Sequence, residues 1–161
     1  MLANLLARHR LSGAFLDTNL LVLYLVGSYE PAFVPKFKRT SMYTEQDYQW
    51  LKEYVDKFSR IVVTPQVLAE AWNFLEKINE QKFKQFISSI MNTLYLIDEH
   101  YIAKDLILDN RGFNYIGITD VSIILAAKST GCLVLTDDLR AYSHFASNNI
   151  ETININHLRQ L

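Results

Sequence analysis

Ile61-Val62-Val63-Thr64-Pro65-Gln66-Val67-Leu68-Ala69-Glu70 reads as a strand that turns directly into a helix. Three β-branched residues in a row favour an extended, pleated backbone. Thr64 then offers a hydroxyl to free helix amides, and Pro65 has the fixed φ that suits a first helical position. That helix is expected to reach about Ile78. The same order recurs along the chain. The segment from Gly13 to Leu16 reads as a short buried strand, followed by a helix over Asn19–Val26 that ends near Gly27. Cys132–Leu135 reads as a strand, followed by a short helix over Leu139–Ala146, and Thr152–Ile155 is a last β-like segment. Helical spacing marks Glu45–Phe58 and Gln81–Met91, and Thr119 opens a helix reaching Lys128, with Gly131 just past its end. A strand over Leu94–Ile97, a helix over Glu99–Leu108 and a loop over Arg111–Gly117 are expected between them. Ser28–Thr44 holds Pro31, Pro35 and several aromatics and reads as an irregular excursion. Short apolar strands alternating with helices predict a three-layer α/β/α fold with a central, mostly parallel sheet in one domain.

Composition narrows the function. Half of the 161 residues are hydrophobic and 20% are charged, so a real core is expected and wholesale disorder is not. The net charge of −1 gives no overall basic field of the kind that announces nucleic-acid binding. The single cysteine, Cys132, rules out a disulfide within the chain and reads as a small buried residue suited to a reducing compartment. The longest apolar run, Leu20–Val26, is far shorter than a membrane span. Arg8 and Arg10 follow the apolar start rather than precede it, the reverse of a secretory signal, so a cytoplasmic protein is expected.

Acidic residues stand where elements begin or end: Asp17, Glu70, Asp120 and the pair Asp137/Asp138. Each lies beside or within an apolar stretch, where a carboxylate is costly unless it is paired, protonated or bound to metal. Each has an ordinary structural explanation. Asp17 and one of Asp137 and Asp138 suit helix caps, Asp120 suits a first helical turn, and Glu70 suits a solvated helix face. Together they point to one place. In open parallel sheets, sites form beyond the carboxyl ends of the strands, and Asp17 and Asp137/Asp138 each follow a strand. Asp120 precedes Ile123, Ile124 and Ala127 at helical spacing, which puts it on an apolar stripe. Glu70 flanks the core side of its helix. Oxygen-only donors select Mg²⁺ or Mn²⁺ over zinc, and His9, His100, His144 and His157 are too scattered for a zinc site.

These segments resemble the PIN domain family of metal-dependent ribonucleases, which includes the VapC-type toxins. The matching pieces are Phe15-Leu16-Asp17-Thr18-Asn19, Thr64 to Glu70, Gly117 to Lys128 and Leu133 to Leu139, in the family's order and across nearly the whole chain. The resemblance implies that Asp17, Glu70, Asp120 and Asp138 are catalytic metal ligands, with Asp137 as the alternative fourth acid. It makes Thr18, Asn19 and Thr136 polar supports for those ligands. It implies Mg²⁺ or Mn²⁺ as cofactor, endonucleolytic cleavage of RNA, a homodimer, and inhibition by a cognate antitoxin. The 53 positions between Asp17 and Glu70 exceed the spacing of a small toxin, and the Ser28–Thr44 excursion accounts for the excess. Within it, Lys36, Lys38 and Arg39 suit phosphates and Tyr29, Phe33 and Tyr43 suit unpaired bases. Packing of those aromatics against the body, or a surface for an antitoxin or a second copy, is the alternative. A PIN-like module that binds RNA or protein without cutting is the main rival function. A receiver-type phosphoacceptor fits less well, because its acid pair belongs near the first strand.

Overall fold

Ala14–Leu16 (β1), buried at every position, takes the centre of a five-stranded, wholly parallel sheet. The computed structural model describes residues 2–158. The other strands are Ile61–Val63 (β2), Asp98–Glu99 (β3), Leu133–Thr136 (β4) and Thr152–Asn154 (β5), in the order β3-β2-β1-β4-β5. The helices are Leu2–His9 (α1), Thr18–Tyr29 (α2), Glu45–Val55 (α3), Pro65–Leu75 (α4), Glu80–Leu96 (α5), Lys104–Leu108 (α6), Phe113–Thr130 (α7), Leu139–Ser147 (α8) and Ile155–Leu158 (α9). Helices on both sheet faces give the three-layer α/β/α arrangement expected for this alternation. β1 leads to β2 on one side, while β4 and β5 build out on the other. The chain therefore reverses direction between β1 and β4, the place where open α/β sheets form their crevices.

α2 is apolar all round, and it is buried from Leu20 to Leu23 and from Leu25 to Gly27 against α3, α4 and α5. It runs two residues beyond Gly27, so this glycine does not end the helix. It lets a neighbour in: a Cβ at Gly27 would lie 2.1 Å from Cδ2 and 2.3 Å from Cγ of the buried Tyr48 of α3. Gly27→Ala is expected to destabilise the protein by about 1–2 kcal/mol. Overpacking costs about 1–3 kcal/mol, and the better helix propensity of alanine returns less than about 1 kcal/mol. Urea unfolding checks this, and an unchanged midpoint would show that α3 does not dock there.

Several expectations are corrected. Leu94–Ile97 is not a strand: α5 continues to Leu96, and Ile97 is its C-cap, with its N–H bonding Leu94 O at 3.3 Å. A run of four apolar residues fits either structure, and length decides for the helix. The strand is the charged pair Asp98–Glu99, which pairs with Val62 and Val63 at the sheet edge, where charges discourage further pairing. Because His100 N–H also bonds Val63 O at 2.8 Å, the helix expected from Glu99 begins only at Lys104. The loop expected over Arg111–Gly117 is helical from Phe113, with the break confined to Gly117 at φ +83°. The excursion is more regular than expected. It comprises two 3₁₀ turns, Pro31–Phe33 and Lys38–Thr40, and it packs inward. Phe37 and Tyr43 are buried, and the Tyr29 ring meets Phe86 edge-on. Lys36, Lys38 and Arg39 stay exposed.

Candidate metal centre

Asp17 is held at the end of β1 by two other elements, α2 and β4. Its Oδ1 accepts from Leu20 N–H at 2.9 Å, capping α2, and its Oδ2 accepts from the buried Thr136 hydroxyl at the end of β4. Register explains the second contact: Leu16 pairs with Leu135, so the next residues on the two strands meet beyond the sheet edge. Cap and site are thus the same side chain. Burial, reinforced by the charge of Asp137, raises its pKa to about 7, against the smaller opposing effect of its hydrogen bonds.

Asp120 and Glu70 are brought together by two hydroxyl bridges between α4 and α7. Thr119 Oγ1 donates to Glu70 Oε2 at 2.6 Å. Ser122 Oγ donates to Thr119 O at 2.7 Å and lies 2.8 Å from Thr64 Oγ1, which itself caps α4 through Val67 N–H. Thr119 therefore orients Glu70 rather than capping a helix. Asp120 is half-buried, and its pKa rises to about 6, first through burial, then through the charges of Asp138 and Glu70. His144 and Arg140 oppose the rise only partly.

The doubled acid divides its duties. Asp138 caps α8, with Oδ1 accepting from Arg140 N–H at 2.7 Å and Ala141 N–H at 3.0 Å. Asp137 holds the loops: Oδ1 accepts from Asn19 Nδ2 at 3.1 Å, Oδ2 from the Tyr43 hydroxyl, and its carbonyl from Asn156 Nδ2 at 2.6 Å. Asn19 in turn accepts from Arg39 Nη2 at 2.6 Å through Oδ1. Thr18 is buried at the start of α2.

All the acids singled out in the sequence lie at this edge, but as two electrostatically coupled sets, Asp17 with Asp137 and Asp120 with Asp138 and Glu70. Among the described residues no three His, Cys, Asp or Glu side chains form a ready-made metal cage, and none of the five acids belongs to an ion pair. Asp17, Glu70, Asp137 and Asp138 are instead each tethered to a hydroxyl, an amide or a helix end. The donor chemistry fits a hard divalent cation: the donors are oxygen alone, and two of the carboxylates are destabilised as anions in the absence of a counter-charge. Sequence reasoning missed Ser122 and Asn156. It gave Tyr43 and Thr119 other roles, because their partners lie far away in the chain.

The PIN domain family model matches residues 14–147, from the first strand through α8. The chain belongs to the PIN domain family. PIN domains are in general nucleases, and this one carries Asp17 just after β1, Asp137 and Asp138 just after β4, Glu70 on α4 and Asp120 on α7. A comparison with curated proteins finds no match.

Proposed function

We propose that this PIN domain is a Mg²⁺- or Mn²⁺-dependent endoribonuclease, acting in the cytoplasm as one unit and as the toxin of a toxin–antitoxin pair. One observation carries the reading: two carboxylates at the topological switch point have pKa values raised by burial and like charge, with no cationic side chain paired to them. Asp17, Glu70, Asp120 and Asp138 are the proposed ligands. When bound, a divalent ion supplies charge for the phosphodiester and lowers the pKa of water. The chain's own residues do the positioning. Thr136 and Leu20 N–H hold Asp17, and Thr119 holds Glu70. Asp138 keeps one oxygen on the start of α8 and offers the other. Asp137, with both carboxylate oxygens engaged, is the support that fixes Asn19 and Tyr43. Lys36 and Lys38 are assigned to the RNA backbone. Exposed Tyr115, Ile118 and Leu139 beside the acidic edge are assigned to a protein partner, an antitoxin or a second copy. Among the described residues no helix is long and apolar enough to cross a membrane.

Purified protein is expected to cut single-stranded RNA with Mn²⁺, with the rate rising as pH increases through 6–7 and then levelling. The sign follows from the raised pKa values of Asp17, about 7, and Asp120, about 6: below them the ligands hold protons that compete with the cation. A flat profile across that window would count against the carboxylate site. The lack of a ready-made cage favours the alternative, a module that binds RNA or protein without cutting. Calorimetric Mn²⁺ titration separates the two, since only the nuclease should show a saturable site that Asp120→Asn removes.

A further inference from the structure

Arg39 is the one residue of the basic cluster that the excursion fixes in place. Its guanidinium carbon lies over the half-buried Phe74 ring, 3.7 Å from the centroid, a cation–π contact, and Nη2 donates to Asn19 Oδ1 at 2.6 Å. Asn19 is itself oriented without ambiguity. Its Nδ2 faces the Asp137 carboxylate and its Oδ1 faces the guanidinium, so a flipped amide would lose both bonds. The excursion adds a second tie to the same carboxylate through Tyr43. Arg39 is thus one amide away from the carboxylate that couples to Asp17, yet it remains exposed.

A purely structural arginine would be expected to pair directly with one of these acids, and Arg39 does not. The contacts it makes hold the guanidinium between Phe74 and Asn19 and use one of its five N–H donors, leaving its charge without a paired carboxylate at an acidic edge. A nucleic-acid strand approaching five carboxylates is repelled, and a planar, pre-positioned guanidinium matches a phosphate with paired donors better than a lysine does. Lys36 and Lys38, exposed on the same segment, continue the positive charge away from the site. Resting on the nuclease reading above, we infer that Arg39 is a phosphate clamp. It binds the phosphodiester next to the one that is cut and so sets where a single-stranded RNA lies across the carboxylates.

The test is binding of a fluorescent single-stranded RNA of about 12 nucleotides to the full chain in EDTA, read by anisotropy over a series of KCl concentrations. Arg39→Ala is expected to weaken binding about tenfold and to reduce the slope of log affinity against log salt by about one. Arg39→Lys should keep the slope and recover only part of the affinity. Replacing linkages one at a time with neutral methylphosphonates should weaken wild-type binding most at a single position, and that position should be silent in Arg39→Ala. With Mn²⁺, Arg39→Ala should raise KM more than it lowers kcat. Equal affinity and slope for Arg39→Ala and wild type would overturn the clamp, as would an RNA that neither protein binds. Cleavage that persists with unchanged KM in Arg39→Ala would overturn the clamp and leave the nuclease. Arg39-dependent binding without any Mn²⁺-dependent cleavage would overturn the nuclease and leave the clamp.

Discussion

Asp17→Asn is expected to reduce RNA cleavage by about 10²–10³-fold or more and, at the same time, to stabilise the metal-free protein at neutral pH. The loss of activity follows from removing the most deeply buried of the proposed ligands. The gain in stability follows from linkage. The carboxyl titrates at about 7 in the folded protein, against 3.8 for an unperturbed aspartate. Below the lower value both folded and unfolded chains are protonated, and the residue costs nothing. Between the two values the folded chain keeps a proton that the unfolded chain has released, so stability falls as pH rises. Above about 7 the full cost of a buried, uncompensated anion is present. Asparagine keeps the acceptor for Leu20 N–H and carries no charge to desolvate, and the Thr136 hydroxyl can turn to accept from its amide. The variant should therefore melt with wild type near pH 4 and exceed it progressively up to pH 8. After relaxation the expected gain is on the order of 1–2 kcal/mol, about 2–8 °C in Tm. Mn²⁺ should raise the Tm of wild type alone. Thermal melts in EDTA across pH 4–8 test this, and a difference that does not change with pH would remove the electrostatic argument.

Asp138→Asn and Asp137→Asn are expected to differ. Asparagine is as good a helix cap as aspartate, so Asp138→Asn should leave α8 intact while lowering cleavage by about 10²-fold and Mn²⁺ affinity by about tenfold or more. Asp137→Asn retains shape, but its new amide cannot accept from both Asn19 and Tyr43. It should lower cleavage by about tenfold and leave Mn²⁺ affinity closer to wild type. The acid limbs of the two pH–rate profiles should also move in distinguishable ways. Asp137 helps to raise Asp17, whereas Asp138 is the larger charge acting on Asp120. Each substitution should move its own partner's titration to lower pH. If instead Asp137→Asn abolishes metal binding and Asp138→Asn preserves it, the two residues exchange roles.

The strand–helix alternation was readable because each junction carries its own local chemistry. Ile61-Val62-Val63 favours extension, Thr64 caps, Pro65 starts a helix, and Gly131 stops one in the left-handed region at φ +69°. β3 was not readable: Asp98 and Glu99 have poor strand propensity, and they pair only because β2 offers a free edge beside them. Gly27 misled for a related reason. As a sequence signal it ends a helix, but in the fold it is the gap that Tyr48 fills.

The sequence alone determined most of the strand–helix order and the placing of Asp17 and Asp137/Asp138 just after strands, because propensity, capping and apolar spacing act within a few residues; Glu70 and Asp120 lie inside α4 and α7 rather than at element ends. Tertiary structure decided what each acid is free to do. Tyr43 and Asn19 reach Asp137 from 94 and 118 positions away, and Thr136 reaches Asp17 from 119. Such contacts depend on which strands lie side by side and how far an excursion folds back, and no local pattern encodes that. The excursion that read as irregular is, in the folded chain, the segment that delivers Tyr43 to Asp137 and Arg39 to Asn19.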